Sequence, residues 1–294
     1  MISPPPSGSA VPPAPTVQIR TSPARIETPA ASTDPVDWQA QLLATCWVAF
    51  SPTGQDPEKG LRPDDLSLVE DLQILHAAGF DGLVTYAADA RTHRLARQAG
   101  FKAMIVGVWD PADPTELALA ESAGTDPLVL GYVVGNEGRG KRYDNRVLEY
   151  AVNRLRQATG KPVTTTEEAG DYDDPSLAKM GDWVFPNVHP YFAGHTDPVS
   201  GAAWTAAMYE ELKPIAAGRP LLFKEVGLPT AGAPEVSEEG QAEYYRLLQD
   251  TPVRFVYFEA FDQPSKNSLP IEPYWGLFRN DRSPKPVVAH VCGR

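Results

Sequence analysis

Basic side chains are scarce. Lys and Arg number 26 against 38 Asp and Glu, a formal charge of −12 over 294 residues. Such a surface repels a phosphate backbone and offers nothing to an anionic bilayer, which argues against nucleic acid or a membrane surface as the partner. Long apolar runs are also missing. No stretch approaches the ~18–20 residues of a transmembrane helix, so no membrane insertion is expected. The start, MISPPPSGSA, has neither the basic n-region nor the apolar h-region of a secretion signal. Two cysteines, Cys46 and Cys292, are too few for a disulfide framework and lack metal-ligand spacing. They leave two readings: ordinary buried or terminal thiols, or one bridge from the first core strand to the C-terminus in an oxidising compartment. The five histidines include no His-x-His and no HExxH, so His189 and His195 with Asp197 are not read as a metal cluster.

Proline, by contrast, is abundant. The chain has 30, about twice the usual share, and nine of them precede residue 36. Residues 1–35 therefore read as a Pro/Ser/Ala tether of polyproline-like stiffness, with a strand over 16–20 as the lesser alternative. A tether there points to the mature or excised part of a longer, exported product. Residues 36–294 read as one domain, long enough to build a core without metal or disulfide.

From Trp38 onward short apolar runs alternate with helix-period segments, the pattern of βα units on a parallel sheet. Ala78-Gly79-Phe80 and Ala99-Gly100-Phe101 each end a helical pattern with the residue that takes positive φ freely and open a strand with Phe. The expected strands are 46–50, 82–86, 102–108, 128–134, 162–166, 183–188, 221–224 and 255–261. Helices are expected over 65–78 and 145–159, where apolar residues recur on one face. Eight such units in roughly 250 residues match a closed (β/α)8 TIM barrel. A doubly wound open sheet is the alternative, but no GxGxxG follows a first strand.

Barrel active sites lie at the C-terminal strand ends. The fourth run delivers Asn136 and Glu137, and the seventh delivers Glu225. Other ends supply Tyr86, Trp109, Asp110, Glu167, His189, Tyr191, Glu259, Asp262 and Trp275. Paired carboxylates suit glycosidic bond hydrolysis, where one protonates the leaving oxygen while the other attacks or stabilises an oxocarbenium-like centre. Aromatic rings beside them suit sugar faces. The run Gly135 to Lys141 reads G-x-x-x-x-G-K, but Arg142 stands where a magnesium-binding Ser or Thr is needed, and Glu137 would oppose phosphate.

These motifs resemble glycoside hydrolase family 17, specifically its bacterial β-1,3-glucanase and β-glucan transglycosylase branch. Val133 to Glu137 looks like the family's acid/base motif and Glu225 to Gly232 like its nucleophile motif. Glu259 to Lys266 and Tyr274 to Phe278 resemble its eighth-strand region. His189-Pro190-Tyr191 and Thr85-Tyr86 match its sixth- and second-strand elements. The resemblance spans residues 42 to 284 or so. It implies a retaining double displacement on β-glucan with no cofactor, Glu137 as general acid/base and Glu225 as nucleophile. Tyr86, Asn136, Glu167, His189, Tyr191, Asp262, Lys266 and Trp275 are the expected substrate contacts, with Asn136 on the sugar 2-hydroxyl. Lys266 is expected to hold Glu225 ionised, with Glu272 as a candidate partner for Lys266. Glu259 reads equally as a buried structural acid. The chain departs from the family pattern at Leu228 and Ser265, where tryptophans are usual, and at Val84, where an Arg is usual. Transglycosylation on the same site, or a non-catalytic glycan-binding barrel, are the rival readings. A monomer located in the periplasm or outside the cell is expected.

Overall fold

The computed structural model describes residues 37–293. The expected tether and the strand over 16–20 lie outside the described residues. Eight parallel strands form one sheet: β1 (Trp47–Ala49), β2 (Gly82–Val84), β3 (Ala103–Val108), β4 (Val129–Val134), β5 (Val163–Thr165), β6 (Asn187–Val188), β7 (Phe223–Val226) and β8 (Phe255–Tyr257). Their order is β5-β4-β3-β2-β1-β8-β7-β6, so first and last strands are neighbours in a curled sheet. The two outer strands approach each other as well. Asn187 N donates to Glu167 O at 2.9 Å, and a parallel bridge joins Glu168 to Asn187. This is the (β/α)8 barrel expected from the alternation of runs.

Helices α1 (Trp38–Ala44), α2 (Asp65–Ala78), α3 (Ala90–Ala99), α4 (Pro114–Ser122), α5 (Asn145–Thr159), α6 (Pro175–Ala178), α7 (Pro198–Ala216) and α8 (Glu238–Gln249) lie between or before the strands. The bounds of α2 and α5 are those read from periodicity, because both carry complete stop signals. Asp64 and Asp144 accept amide hydrogens of the first turns, and Gly79 and Gly160 close the helices at φ 106° and 67°.

Strand residues alternate between two cores, as the two-residue period requires. Trp47, Ala49, Val84, Ile105, Val133 and Val256 point into the barrel. Val48, Leu83, Met104, Val106 and Tyr257 point outward against helix residues such as Leu68, Leu72, Leu95 and Leu148. At the barrel floor the Trp47 indole donates to Leu42 O at 2.8 Å. A Cβ on Gly82 would lie 2.3 Å from that ring, so glycine opens β2 where the indole crosses it.

Several expectations shift: the seventh strand runs over Phe223–Val226 and not 221–224, and the eighth, expected over 255–261, ends at Tyr257. The sixth run, 183–188, yields only Asn187–Val188 as a regular strand, because Pro186 has no N–H for the ladder. Its earlier half still tracks the seventh run through Val184 N to Pro220 O at 2.9 Å. The two cysteines are joined: Cys46 and Cys292 form a disulfide with Cα atoms 5.7 Å apart across 246 residues. No helix among the described residues is long and apolar enough to cross a membrane.

Candidate active site

The loop leaving β4 turns sharply at Gly135 (φ 76°), and Glu137 itself takes φ 50°, a left-handed conformation uncommon for a side-chain-bearing residue. The turn is braced from beneath. The Tyr143 hydroxyl accepts Gly138 N at 2.9 Å and donates to Glu167 Oε1 at 2.8 Å, while the Arg142 guanidinium holds Asn136 O. A Cβ on Gly135 would come within 2.4 Å of that hydroxyl.

β7 reaches the same rim by a different device. Phe223 pairs with Phe255 and Val226 with Tyr257, so β7 spends three steps where β8 spends two. The extra residue is a bulge, and a bulge re-aims side chains that strict alternation would send to opposite faces. Consecutive Lys224 and Glu225 consequently reach one another, both buried.

The carboxylates of Glu137 and Glu225 and the ring of His189 bring one ligand-type atom each to within 4.8 Å of one another. Glu225 is the more deeply buried and has the more hydrogen-bond partners. Its Oε1 accepts Lys224 Nζ and, at 2.9 Å, the Tyr86 hydroxyl; His189 Nε2 lies 3.3 Å from Oε2. Burial pushes this carboxyl upward, but the Lys224 ammonium and the His189 ring outweigh it and hold Glu225 well below the usual carboxylate range. Glu137 goes the other way. Burial and then the Glu225 charge raise it, against a hydrogen bond from Asn187 Nδ2 to Glu137 Oε1 at 2.6 Å. Two carboxyls of one type are thereby driven apart, one toward the ionised form and one toward the protonated form.

Asn136 ties the pair together. Its Oδ1 accepts Lys224 Nζ at 2.6 Å and Asn187 Nδ2 at 3.2 Å. Asn187 is itself oriented by Thr166 Oγ1, which donates to its Oδ1 at 3.1 Å. The trio Glu137, His189 and Glu225 also has the composition of a cation site. A cation there would sit beside the Lys224 ammonium and compete with donors that already fill Oε1, so the donor set suits proton traffic better than a metal.

A cavity of 640 Å³ opens above the dyad, lined by both glutamates, His189, Phe192, Trp204 and Trp275. Glu272 lines both this cavity and a second one of 310 Å³, between the loops after β1 and β8, that includes Gln55 and Lys266. A third cavity, of 180 Å³, includes Tyr86 on the β2 side.

Of the residues singled out from the sequence, Glu137, Glu225, Asn136, Tyr86 and His189 converge here, and Trp275 packs its ring 5.3 Å from His189. Four others sit elsewhere. Lys266 pairs with Glu259 at 2.6 Å and not with Glu225; Lys224 takes the role expected of it. Glu272 is likewise not the partner of Lys266. Glu167 is buried beneath the β4 turn, its carboxylate occupied by Tyr143 and by Arg139 N at 3.4 Å; its neighbour Glu168 lines the cavity. Asp262 is a structural acid, accepting Lys285 Nζ at 2.7 Å and Gly276 N at 2.9 Å. Tyr191 packs against Trp275 with its hydroxyl 3.5 Å from Glu235, while the adjacent Phe192 faces the cavity. Leu228 is buried, and His195 stacks on Trp204, away from any metal-type cluster among the described residues.

Sequence reasoning passed over Lys224, Asn187 and Trp204. The first two carried a readable signal. A lysine inside Leu-Leu-Phe-Lys-Glu-Val and an asparagine inside Val-Phe-Pro-Asn-Val are polar groups in runs that a barrel buries, and such groups need partners. Trp204 carried none, since an aromatic on a helix reads as core.

Residues 48–276 match the family model described as the BtgE/BtgC glycoside hydrolase domain. The chain is 24% identical over 231 residues to a putative glucan endo-1,3-beta-glucosidase btgC of Aspergillus niger, covering 62% of this chain and 33% of that protein. It is 24% identical over 232 residues to the cell surface mannoprotein MP65 of Candida albicans, covering 71% of this chain and 61% of that protein. The chain thus spans about a third of the length of the first relative and under two thirds of the second. Among solved structures, a glycoside hydrolase family 17 beta-1,3-glucanosyltransferase from Rhizomucor miehei superposes with TM-score 0.72 at 20% identity, covering 86% of this chain and all of that one. An endo-laminarinase from Formosa superposes with TM-score 0.71 at 18% identity, covering 85% of this chain and 87% of that one.

Proposed function

The chain belongs to the BtgE/BtgC glycoside hydrolase domain family, and from that premise we propose that it cleaves β-1,3-linked glucan with retention, Glu225 being the nucleophile and Glu137 the general acid/base. The observation that carries this reading is the pair itself: two carboxylates within 4.8 Å whose surroundings drive one low and the other high. Retaining enzymes hold their carboxyls ~5–5.5 Å apart, whereas inverting ones leave room for a water at ~6.5–9.5 Å.

In the first half-reaction an oxygen of Glu225 bonds to the anomeric carbon as the glycosidic bond breaks. The electron pair goes to the departing oxygen, which takes the proton of Glu137. In the second, Glu137, now ionised, removes a proton from an incoming hydroxyl. That oxygen bonds to the anomeric carbon and the electron pair returns to Glu225. Tyr86 and His189 hold the nucleophile, and Asn136 faces the sugar 2-hydroxyl.

Transfer to a second sugar is the other outcome this site supports. Phe192, 56% exposed, and Trp204 line the cavity beside the β6 loop. Flat apolar faces there would retain an acceptor against competition from water. Relatives named as glucan endo-1,3-beta-glucosidases and a cell surface mannoprotein, together with the Cys46–Cys292 bridge, support a place outside the cytosol. The segment 1–35 is proposed as the tether of the barrel.

The test is incubation of the purified protein with β-1,3- and β-1,2-linked gluco-oligosaccharides, alongside Glu137→Gln and Glu225→Gln. Shorter products from the β-1,3 series indicate hydrolysis and longer ones transfer. Binding without turnover by the wild type overturns the enzymatic reading, and a product anomer opposite to the substrate's overturns retention.

A further inference from the structure

Lys224 is 1% exposed, in the middle of a barrel strand, and none of the steps above assigns it a part. Burying an ammonium is costly unless its surroundings repay it in every state the site passes through. Here three groups surround it. Nζ donates to Glu225 Oε1 and, at 2.6 Å, to Asn136 Oδ1, and it sits 4.3 Å from the centre of the Tyr86 ring.

This arrangement makes the two oxygens of Glu225 unequal. Oε1 is saturated by Lys224 and Tyr86, whereas Oε2 has only His189, at 3.3 Å. The oxygen with lone pairs to spare is Oε2. The amide of Asn136 is fixed by the same ammonium. With Oδ1 taken by Lys224 and Asn187, the Nδ2 hydrogens are left for a sugar oxygen.

Resting on the retaining mechanism above, we propose that Lys224 is a positioning residue that selects Oε2 of Glu225 as the attacking oxygen and, by its charge, hastens breakdown of the glycosyl-enzyme. The charge argument follows the electrons. During glycosylation the Glu225 carboxylate becomes a neutral ester and Glu137 becomes the anion, so negative charge moves away from Lys224. The ammonium is then buried against an ester carbonyl and an amide oxygen. During the second half-reaction Glu137 regains a proton and the C–Oε2 electron pair returns to Glu225, so negative charge moves back onto the group Lys224 touches. The cation opposes the first step and assists the second. Other titratable groups facing Glu225 are Glu137 from the end of β4, His189 from β6, Tyr86 from β2 and Glu259 from β8. Of these and Lys224, the lysine alone brings an ammonium into hydrogen-bond contact with the nucleophile.

The experiment compares wild type, Lys224→Met, Lys224→Gln and Tyr86→Phe on a laminari-oligosaccharide. Two readouts are used: the pH dependence of kcat/KM, and intact-protein mass during turnover. Removing the cation is expected to move the acidic limb up by about one pH unit, because Glu225 then protonates at higher pH. The fraction of enzyme carrying a covalent glycosyl group is expected to rise at least about tenfold, the equivalent of one such unit. Tyr86→Phe keeps the charge and removes only a neutral donor from the same oxygen, so the adduct is expected to rise well short of the lysine variants. An unmoved acidic limb in both lysine variants, or equal adduct in Tyr86→Phe, overturns the proposal. If the lysine variants do not fold, a rise of about tenfold or more in Tyr86→Phe, the size assigned to the cation, still does so. Turnover by Glu225→Gln would instead overturn the mechanism on which this inference rests.

Discussion

The ends of β7 and β8 each present a glutamate paired with a lysine, and the two pairs behave oppositely. Glu225 is held low by Lys224 and His189 although it is buried. Glu259, completely buried, is raised, since burial there exceeds what the Lys266 ammonium returns. The difference lies in the count of donors. Both oxygens of Glu225 are engaged, whereas Glu259 Oε2 is buried with no partner. A lysine beside a carboxyl does not by itself settle its charge; the carboxyl must be solvated by the protein on both oxygens.

The sharpest way to break this comparison is to neutralise each acid in turn. Glu225→Gln is expected to lower kcat by about 10³-fold or more, as loss of a group acting on the reacting carbon does. Glu259→Gln is expected to stay within about tenfold of wild type. Equal losses, read on the same oligosaccharide, would mean that both acids take part in the chemistry. A kcat/KM profile sharpens the same point. Its acidic limb should lie below the ordinary glutamate range, where Glu225 protonates, and its basic limb above it, where Glu137 loses its proton. A basic limb within the ordinary range would remove the raised acid from the mechanism.

Next in size is a control remote from both pairs. The Cys46–Cys292 bridge closes a loop of 246 residues. The chain-entropy model assigns such a loop about 5 kcal/mol, or about 10 °C or more in Tm at this size. Reduction should lower Tm by that order and leave the positions of both pH limbs unchanged. Unchanged thermal unfolding would show that the bridge contributes nothing.

The smallest effect expected is from Lys266→Met, which strands a buried carboxyl already inclined to protonate. About 2 kcal/mol of stability should be lost, measurable by urea unfolding. The penalty should shrink as pH falls, because the protonated acid needs no cation. An acidic limb displaced as far as in Lys224→Met would erase the distinction between the two lysines.

Helix limits and glycine stops were legible because they depend on neighbours three or four positions away. The two glutamates were legible for a related reason, since each lies at or next to the end of a run that a barrel strand carries to its C-terminal rim. Lys266 was assigned to the wrong acid. Two lysines and several glutamates gather on one rim, and only the register of β7 against β8 says which of them touch. Asp262 and Glu167 looked like cleft acids for the same reason, yet Lys285 and Tyr143, remote in sequence or lying beneath the loop, claim them.

The amino-acid sequence alone determined the repeating βα plan, the helix ends, the strand ends that bear Asn136, Glu137 and Glu225, and a rim of acids and aromatics. Tertiary structure decided the bulge that makes Lys224 and Glu225 neighbours, the disulfide between Cys46 and Cys292, and the division of labour among the acids. Periodicity is a local property and is written residue by residue. The charge on a buried carboxyl is the sum of burial and of donors arriving from other strands, and those meet only when the barrel curls.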